Sequence, residues 1–175
     1  MKKLIFILAF GLLISCGERQ TSIIDENVLS NLEAYKTQDS LENTTEKFIE
    51  AYIAAANTKD WKTSIVKYLP LSSDEFLQQH AAFRNSFPNY RSTIKHLTVD
   101  GNEGIVWLQN TGTYTSTYNF EDKYIPEVFN GIAAKNQELS WDETWYFDVV
   151  DGRFGENWDF LKDNHAVLEG LKADR

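Results

Sequence analysis

The sequence predicts an α+β domain in which helices pack on one face of an antiparallel sheet. Apolar residues recur at helical spacing up to Pro88, and from residue 90 onward they alternate with polar residues as they do in strands. Asp151-Gly152 adds a hairpin signal between two of the expected strands. A run of helices followed by a run of strands is typical of α+β folds.

Three helices are expected before the sheet, and each carries a start or stop signal. The first begins near Asn43, an N-cap residue type with Glu46 three positions later. The second begins at Asp60 and ends at Pro70, because proline cannot continue a helix. The third follows the capping box Ser72-Ser73-Asp74-Glu75.

The strands are expected where β-branched and aromatic residues concentrate after residue 90. A short helix over residues 161–171 is expected to close the chain. The segment between residues 115 and 138 is ambiguous between loop and helix. The expected strands are Arg91–Val99, Ile105–Tyr114, Leu139–Val150 and Phe154–Trp158.

The composition of the 175-residue chain excludes several classes of protein. The chain is 42% hydrophobic and 14% aromatic, which is enough for a real core and excludes wholesale disorder. It has one cysteine, so an intrachain disulfide scaffold is excluded. Its net charge of -9 argues against nucleic acid as a partner, and any membrane attachment must come from something other than basic residues.

The N-terminus carries a signal of its own. Lys2-Lys3 precedes the almost wholly apolar segment Leu4–Ile14, whose helix would rise about 16 Å, too little to span a hydrocarbon core of roughly 30 Å. The string Leu13-Ile14-Ser15-Cys16 followed by Gly17 resembles the bacterial lipoprotein signal. An ordinary secreted protein with a chance cysteine, or an uncleaved N-terminal anchor, are the alternatives.

The lipoprotein resemblance implies cleavage before Cys16 and lipidation of its thiol, with acyl chains as the membrane anchor. Gly17 in place of Asp then favours the outer membrane. Residues 1–15 form the signal peptide, residues 16–40 a lipidated tether, and residues 41–175 the domain. Cleavage removes two lysines and no acidic residue, so the net charge of -9 becomes -11.

Several local strings occur along the chain in this order: Phe48-Ile49-Glu50-Ala51-Tyr52, Phe87-Pro88-Asn89-Tyr90, Asp100-Gly101-Asn102, Thr111-Gly112-Thr113-Tyr114 and Glu156-Asn157-Trp158-Asp159. This ordered set resembles the nuclear-transport-factor-2-like (NTF2-like) superfamily and its SnoaL-like, polyketide-cyclase-like branch. The resemblance covers residues 41–172 and implies a curved sheet wrapped by helices into a cone with a mainly apolar pocket. The segment 115–138 departs from the pattern as a longer acidic and aromatic insertion at the expected pocket mouth.

The same resemblance implies that Asp159 is an acid–base residue that shuttles a proton next to a carbonyl. The alternative is that Asp159 caps the following helix, which aspartate does well. The cyclases also use a histidine on the strand before the hairpin, where this chain offers Glu143, and Asn157 stands where many relatives have histidine. His80, on a phenylalanine stripe, is either a core-edge residue or a second polar group of the pocket.

Aromatic residues cluster in the expected strands, where they either fill the core or line a pocket for apolar rings or sugars. Trp107, Tyr114, Trp145 and Asn157 are the candidate pocket-lining residues. No histidine pair has metal-ligand spacing, so neither a metal site nor a cofactor is expected.

Two functions follow as alternatives. The first is a lipid-anchored envelope protein whose cone binds a small, partly apolar molecule or an envelope partner. The second is a small acid–base enzyme of the cyclase, dehydratase or isomerase kind, with Asp159 as proton shuttle and Tyr114, Glu143 or His80 assisting. The absent histidines and the altered insertion favour the first. A third possibility is that the chain's own aromatic side chains fill the pocket and that the domain only forms a homodimer, because exposed sheet faces often pair in the superfamily that the chain resembles.

Overall fold

The computed structural model describes residues 26–71, 73–120 and 127–172. The signal peptide and Cys16 lie outside these residues. None of the helices in the described part of the chain is long and apolar enough to cross a membrane. The helices are α1 (Glu26–Ala56), α2 (Trp61–Ile65), α3 (Asp74–Ser86) and α4 (Asn164–Lys172), and the strands are β1 (Arg91–Asp100), β2 (Glu103–Tyr114), β3 (Gln137–Val150), β4 (Arg153–Phe154) and β5 (Asp159–Lys162).

The described strands form one curved antiparallel sheet, so the predicted α+β class is confirmed. The order is β1-β2-β3-β4, and β5 also pairs with β3. The long β2–β3 pair holds its register from Glu103 opposite Asp148 to Tyr114 opposite Gln137. Because side chains alternate along a strand, this register assigns every residue of β2 and β3 to one face of the sheet.

Helix α1 differs from the prediction because it begins at Glu26 and runs through the expected start at Asn43. The hydroxyls of Thr44 and Thr45 donate to the carbonyls of Ser40 and Leu41, four residues earlier, so they stay within the helix. The N-terminal half is mostly exposed, and the buried residues begin at Thr45. No break in secondary structure therefore marks the predicted tether boundary at residue 40, and the domain boundaries stay a prediction.

The other predicted helices form with shifted ends. Helix α3 begins at Asp74, and its N-cap Ser73 makes no side-chain capping hydrogen bond. Ser72, the first residue of the expected capping box, is outside the described residues. Helix α2 continues as a 3-10 turn over Val66–Tyr68 before the chain reaches Pro70.

The predicted hairpin at Asp151-Gly152 is confirmed. Both residues have positive φ, 51° and 72°, as a primed hairpin turn requires. The returning strand β4 is shorter than expected, because the backbone N–H of Asn157 turns back to donate to the Asp148 carboxylate at 3.0 Å. Gly155 lies against that same carboxylate, where a side chain would not fit.

Two aromatic-rich clusters form the core. One packs α1 and α2 against the sheet, with Tyr52, Phe147 and Phe154 at its centre. The other joins α3, α4 and β3 to the 115–138 insertion, which contributes the buried side chains of Tyr118 and Phe129. The described part of the insertion therefore belongs to the core.

Candidate functional site

A cavity opens between the concave face of the sheet and helices α1 and α3. Its volume is about 80 Å³, well below the roughly 300–1,000 Å³ of pockets that bury drug-sized ligands. It therefore suits a molecule of few non-hydrogen atoms. The Phe, Tyr and Trp side chains in its wall are Tyr52, Phe76, Phe83, Tyr90, Trp145, Trp158 and Phe160.

A buried ion-pair cluster forms one side of the cavity. The Lys162 ammonium lies 2.6 and 2.7 Å from the two carboxylate oxygens of Glu127, and 3.7 Å from Oε1 of Glu143. The three side chains are only 7–9% exposed. Burial of a charge is costly unless it is paired, so these groups depend on one another.

Glu143 is fixed by two indole groups of its own strand. Trp141 Nε1 donates to Oε1 and Trp145 Nε1 donates to Oε2, both at 2.9 Å. These three residues share the concave face of β3 because they are two positions apart. The Glu143 carboxylate is thus held at a fixed place in the cavity wall.

His80 projects from α3 into the aromatic wall of the cavity. Burial, assisted by the charges of Arg84 and Lys162, lowers the pKa of His80 to about 3. The imidazole is therefore neutral at physiological pH. Arg84 Nε donates to its Nε2 at 3.4 Å, which makes Nδ1 the nitrogen that carries the proton.

A polar network at the start of β1 forms another part of the cavity wall, to which Tyr90 and Ser92 belong. Tyr90 Oη donates to Asn110 Oδ1 at 2.9 Å, and Ser92 Oγ lies 2.7 Å from Tyr90 Oη. Burial raises the pKa of Tyr90 well above its usual value, so the phenol stays protonated. Arg84 closes the network by donating to the backbone carbonyls of Tyr90 and Ala56.

Three of the residues selected from the sequence meet at this cavity. They are Glu143, His80 and Trp145. They come from α3 and β3, which the fold brings face to face across the cavity. Their functional roles stay predictions.

Asp159 is not brought to the cavity. In β5 the alternate residues Phe160 and Lys162 line the cavity, so Asp159 and Leu161 point to the outer face and are exposed. Asp159 does not cap the last helix either. Asp163 does so, and it accepts from the backbone N–H of Ala166 at 3.0 Å.

The structure places three of the predicted pocket-lining residues away from this cavity. Trp107 lies opposite Thr144 on the outer face of the sheet and is 45% exposed. Asn157 is exposed after β4. Tyr114 is buried in the second core cluster, where its hydroxyl donates to the carbonyl of Ile132 at 2.7 Å.

Sequence reasoning missed Lys162, Glu127 and Phe160. Residues 159–162 were expected to lead into a helix, but they form β5, which pairs with β3 from Glu143 to Tyr146. The alternation of Phe160 and Lys162 was the available signal, although four residues are too few to separate strand from helix. In the described residues, no group of His, Cys, Asp and Glu is placed to hold a metal ion.

The pH dependence of the free energy of unfolding should show that His80 is neutral in the folded protein. The unfolded chain binds a proton at His80 below about pH 6.5, whereas the folded chain does so only near pH 3. The free energy of unfolding should therefore fall with decreasing pH. Between pH 7 and pH 5, wild type should lose about 2 kcal/mol more than the His80→Phe variant in urea denaturation.

His165→Phe is the matched control, because the His165 side chain is exposed on α4. This variant should keep the pH dependence of wild type. Equal pH dependence in wild type and His80→Phe would contradict the assignment of His80 as buried and neutral.

Comparison with known proteins identifies the fold and the family. The model of the SnoaL-like polyketide cyclase family matches residues 32–170. A putative SnoaL-like polyketide cyclase from Jannaschia has a TM-score of 0.62 at 14% identity, over 77% of this chain and 96% of that chain. AclR, a putative hydroxylase from Streptomyces galilaeus, has a TM-score of 0.60 at 16% identity, over 74% of this chain and 96% of that one.

A putative polyketide cyclase from Acidithiobacillus ferrooxidans has a TM-score of 0.57 at 12% identity, over 74% of this chain and 94% of that chain. Identities this low establish a common fold and do not transfer an activity. No relative is found among curated proteins.

Proposed function

This chain belongs to the SnoaL-like polyketide cyclase family, and we propose that it is a lipid-anchored envelope protein whose cavity binds a small, partly apolar molecule. The observation that carries the proposal is the cavity itself, in which aromatic rings surround one fixed carboxylate, that of Glu143. Sites for small molecules commonly combine apolar walls with a few well-placed polar groups.

The acid–base alternative has less support. Asp159, its proton shuttle, is exposed on the outer face of β5. A general base works best when its pKa lies near the working pH, and the pKa of His80, at about 3, is far below it. Glu143 accepts a hydrogen bond on each oxygen, which suits a fixed binding group.

Occupancy of the cavity can be tested by extraction. Wild-type protein is purified from membranes, denatured and extracted with organic solvent, and the extract is analysed by mass spectrometry. The Ala56→Leu variant is the comparison, because Ala56 lines the cavity and is 5% exposed, so a larger side chain fills the space. We expect a small molecule from wild type and not from the variant, and identical extracts would contradict the proposal.

The membrane anchor is proposed from Cys16 and the string before it. Fractionation of a bacterium that expresses the full chain should place the wild-type protein in the membrane fraction. Its first residue should be Cys16 carrying acyl chains. The Cys16→Ala variant should retain residues 1–15 and carry no acyl chains, as seen in its intact mass. An unmodified wild-type Cys16 would contradict the lipoprotein assignment.

The exposed apolar residues on the outer face of the sheet are the basis for proposing a protein partner in addition to the small-molecule ligand. Ile105, Trp107, Tyr146 and Leu161 are neighbours there across β2, β3 and β5, and each is at least 39% exposed. Contiguous exposed apolar residues often mark interaction sites. A second copy of the chain or another envelope protein is the partner that we propose for this face.

A further inference from the structure

The Glu143 carboxylate, which lines the cavity, keeps capacity to accept a further hydrogen bond. Each carboxylate oxygen can accept about two hydrogen bonds. Oε1 accepts from Trp141 and also faces the Lys162 ammonium, whereas Oε2 accepts from Trp145 alone among the described residues. A bound molecule that donates a hydrogen bond therefore has an acceptor at Oε2.

Trp158 presents the opposite requirement in the same wall. Its indole Nε1 is buried and has no hydrogen-bond partner among the residues that the structure describes, while its ring lines the cavity. A buried donor without an acceptor is unfavourable. The centroid of this ring lies 5.8 Å from that of Trp145, whose Nε1 donates to Glu143 Oε2. The unsatisfied donor and the available acceptor therefore belong to neighbouring parts of the wall.

A positive charge on the bound molecule is disfavoured by the two cations around the cavity. Lys162 lines the cavity, and Arg84 Nε lies 3.4 Å from Nε2 of His80, which is also in the wall. Both cations assist burial in lowering the pKa of His80 to about 3, so they act against a proton at this position. A positively charged ligand would meet the same repulsion.

A negative charge on the bound molecule is disfavoured by the carboxylates of Glu127 and Glu143. Both side chains line the cavity and are less than a tenth exposed. The Lys162 ammonium already lies against both of them, at 2.6 Å and 3.7 Å. Because a buried charge is costly unless it is paired, the wall favours an uncharged molecule.

We propose that the cavity binds a small uncharged amide whose N–H donates to Glu143 Oε2 and whose carbonyl oxygen accepts from Trp158 Nε1. This inference rests on the proposed binding function and deepens it by naming the ligand class. An amide carries a donor and an acceptor on adjacent atoms without a charge, so it matches both polar groups of the wall. Its apolar remainder packs against the aromatic rings.

Four molecules of nearly the same shape test this class. Propionamide, 2-butanone, propionate and propionamidinium all consist of an ethyl group on a planar carbon, and they have the same number of non-hydrogen atoms. 2-Butanone has an acceptor and no donor, propionate is an anion, and propionamidinium is a cation. Propionamide alone among them is uncharged and has both a donor and an acceptor.

Binding to the full-length protein in detergent micelles is measured by NMR, from the indole N–H signals of Trp145 and Trp158. Propionamide should shift both signals. 2-Butanone should bind about fivefold more weakly or worse, and each ion about tenfold more weakly or worse. Equal or tighter binding of any of these three would overturn the amide assignment.

The acceptor is tested with Glu143→Gln, which keeps the shape of the side chain and removes one carboxylate oxygen. Propionamide should then lose its advantage over 2-butanone. Glu138→Gln makes the same change on the exposed face of β3 and should bind as wild type does. An advantage that survives in Glu143→Gln would contradict the role of Oε2. If Glu143→Gln does not fold, the ranking of the four molecules on wild type still decides the question.

The donor is tested with Trp158→Phe, which removes the indole N–H and keeps an aromatic ring. Followed by the Trp145 signal, propionamide and 2-butanone should both bind about fivefold more weakly. Trp107→Phe makes the same change on the outer face, where Trp107 is 45% exposed, and should bind as wild type does. Unchanged binding in Trp158→Phe would contradict the role of Nε1.

The results also separate this inference from the proposed function. If 2-butanone or one of the ions binds more tightly than propionamide and Ala56→Leu removes that binding, the binding function stands and the amide class fails. If none of the four binds but extraction yields a molecule that is absent from Ala56→Leu, the outcome is the same. If extraction also yields no molecule, both proposals fail.

Discussion

Replacing Lys162 with methionine should lower the free energy of unfolding by about 3–5 kcal/mol. Methionine fills a similar space but removes the ammonium that lies 2.6 Å from Glu127 and 3.7 Å from Glu143. Both carboxylates would then lose that charge in a site that is less than a tenth exposed. Urea denaturation is the appropriate measurement, because urea does not screen charges as a guanidinium salt does.

The matched control is Lys172→Met. Lys172 pairs with Glu169 at 3.0 Å, but these side chains are 70% and 53% exposed, and exposed pairs contribute less than about 1 kcal/mol. Adding Glu127→Leu to Lys162→Met should restore part of the lost stability, because one buried carboxylate is removed. Equal losses for Lys162→Met and Lys172→Met would contradict the burial of the cluster.

Replacing Phe129 with alanine should also cost about 3–5 kcal/mol, as buried phenylalanines generally do. Phe129 is 1% exposed. Its ring lies 5.1–6.1 Å from those of Phe83, Phe87, Tyr114 and Tyr118. The loss should appear as a lower midpoint of urea denaturation with an unchanged slope.

Leu71→Ala is the control for this change, because Leu71 is 92% exposed. It should alter stability by less than about 0.5 kcal/mol. If Phe129→Ala changed the free energy of unfolding as little as Leu71→Ala does, the 115–138 insertion would be a surface loop and not a part of the second core cluster.

The elements of the sheet could be predicted from the sequence because their signals are local. Alternation and β-branched residues mark β1, β2 and β3, and Asp151-Gly152 specifies the primed turn between β3 and β4. The sequence pattern does not predict on which face of the sheet each side chain lies. Trp107 and Trp145 both lie in strands with alternating pattern, and only the β2–β3 register puts one outside and the other in the cavity.

The charged side of the cavity could not be predicted, because it depends on contacts between distant parts of the chain. Lysine is rarely buried unless it is paired, so Lys162 gives no local signal of its position. Its partners, Glu127 and Glu143, come from the insertion and from β3. The position of the Asp159 side chain could not be predicted for a related reason. The short strand β5, which pairs with β3, directs this side chain to the outer face of the sheet.

The most direct test of the cavity as the functional site is a crystal structure of the protein purified from its native membrane. We expect electron density for a small organic molecule between the rings of Trp145, Trp158 and Phe160, with one polar atom within hydrogen-bond distance of Glu143 Oε2. A cavity that holds only water, or that is closed by these aromatic side chains, would contradict the assignment of the cavity as the binding site.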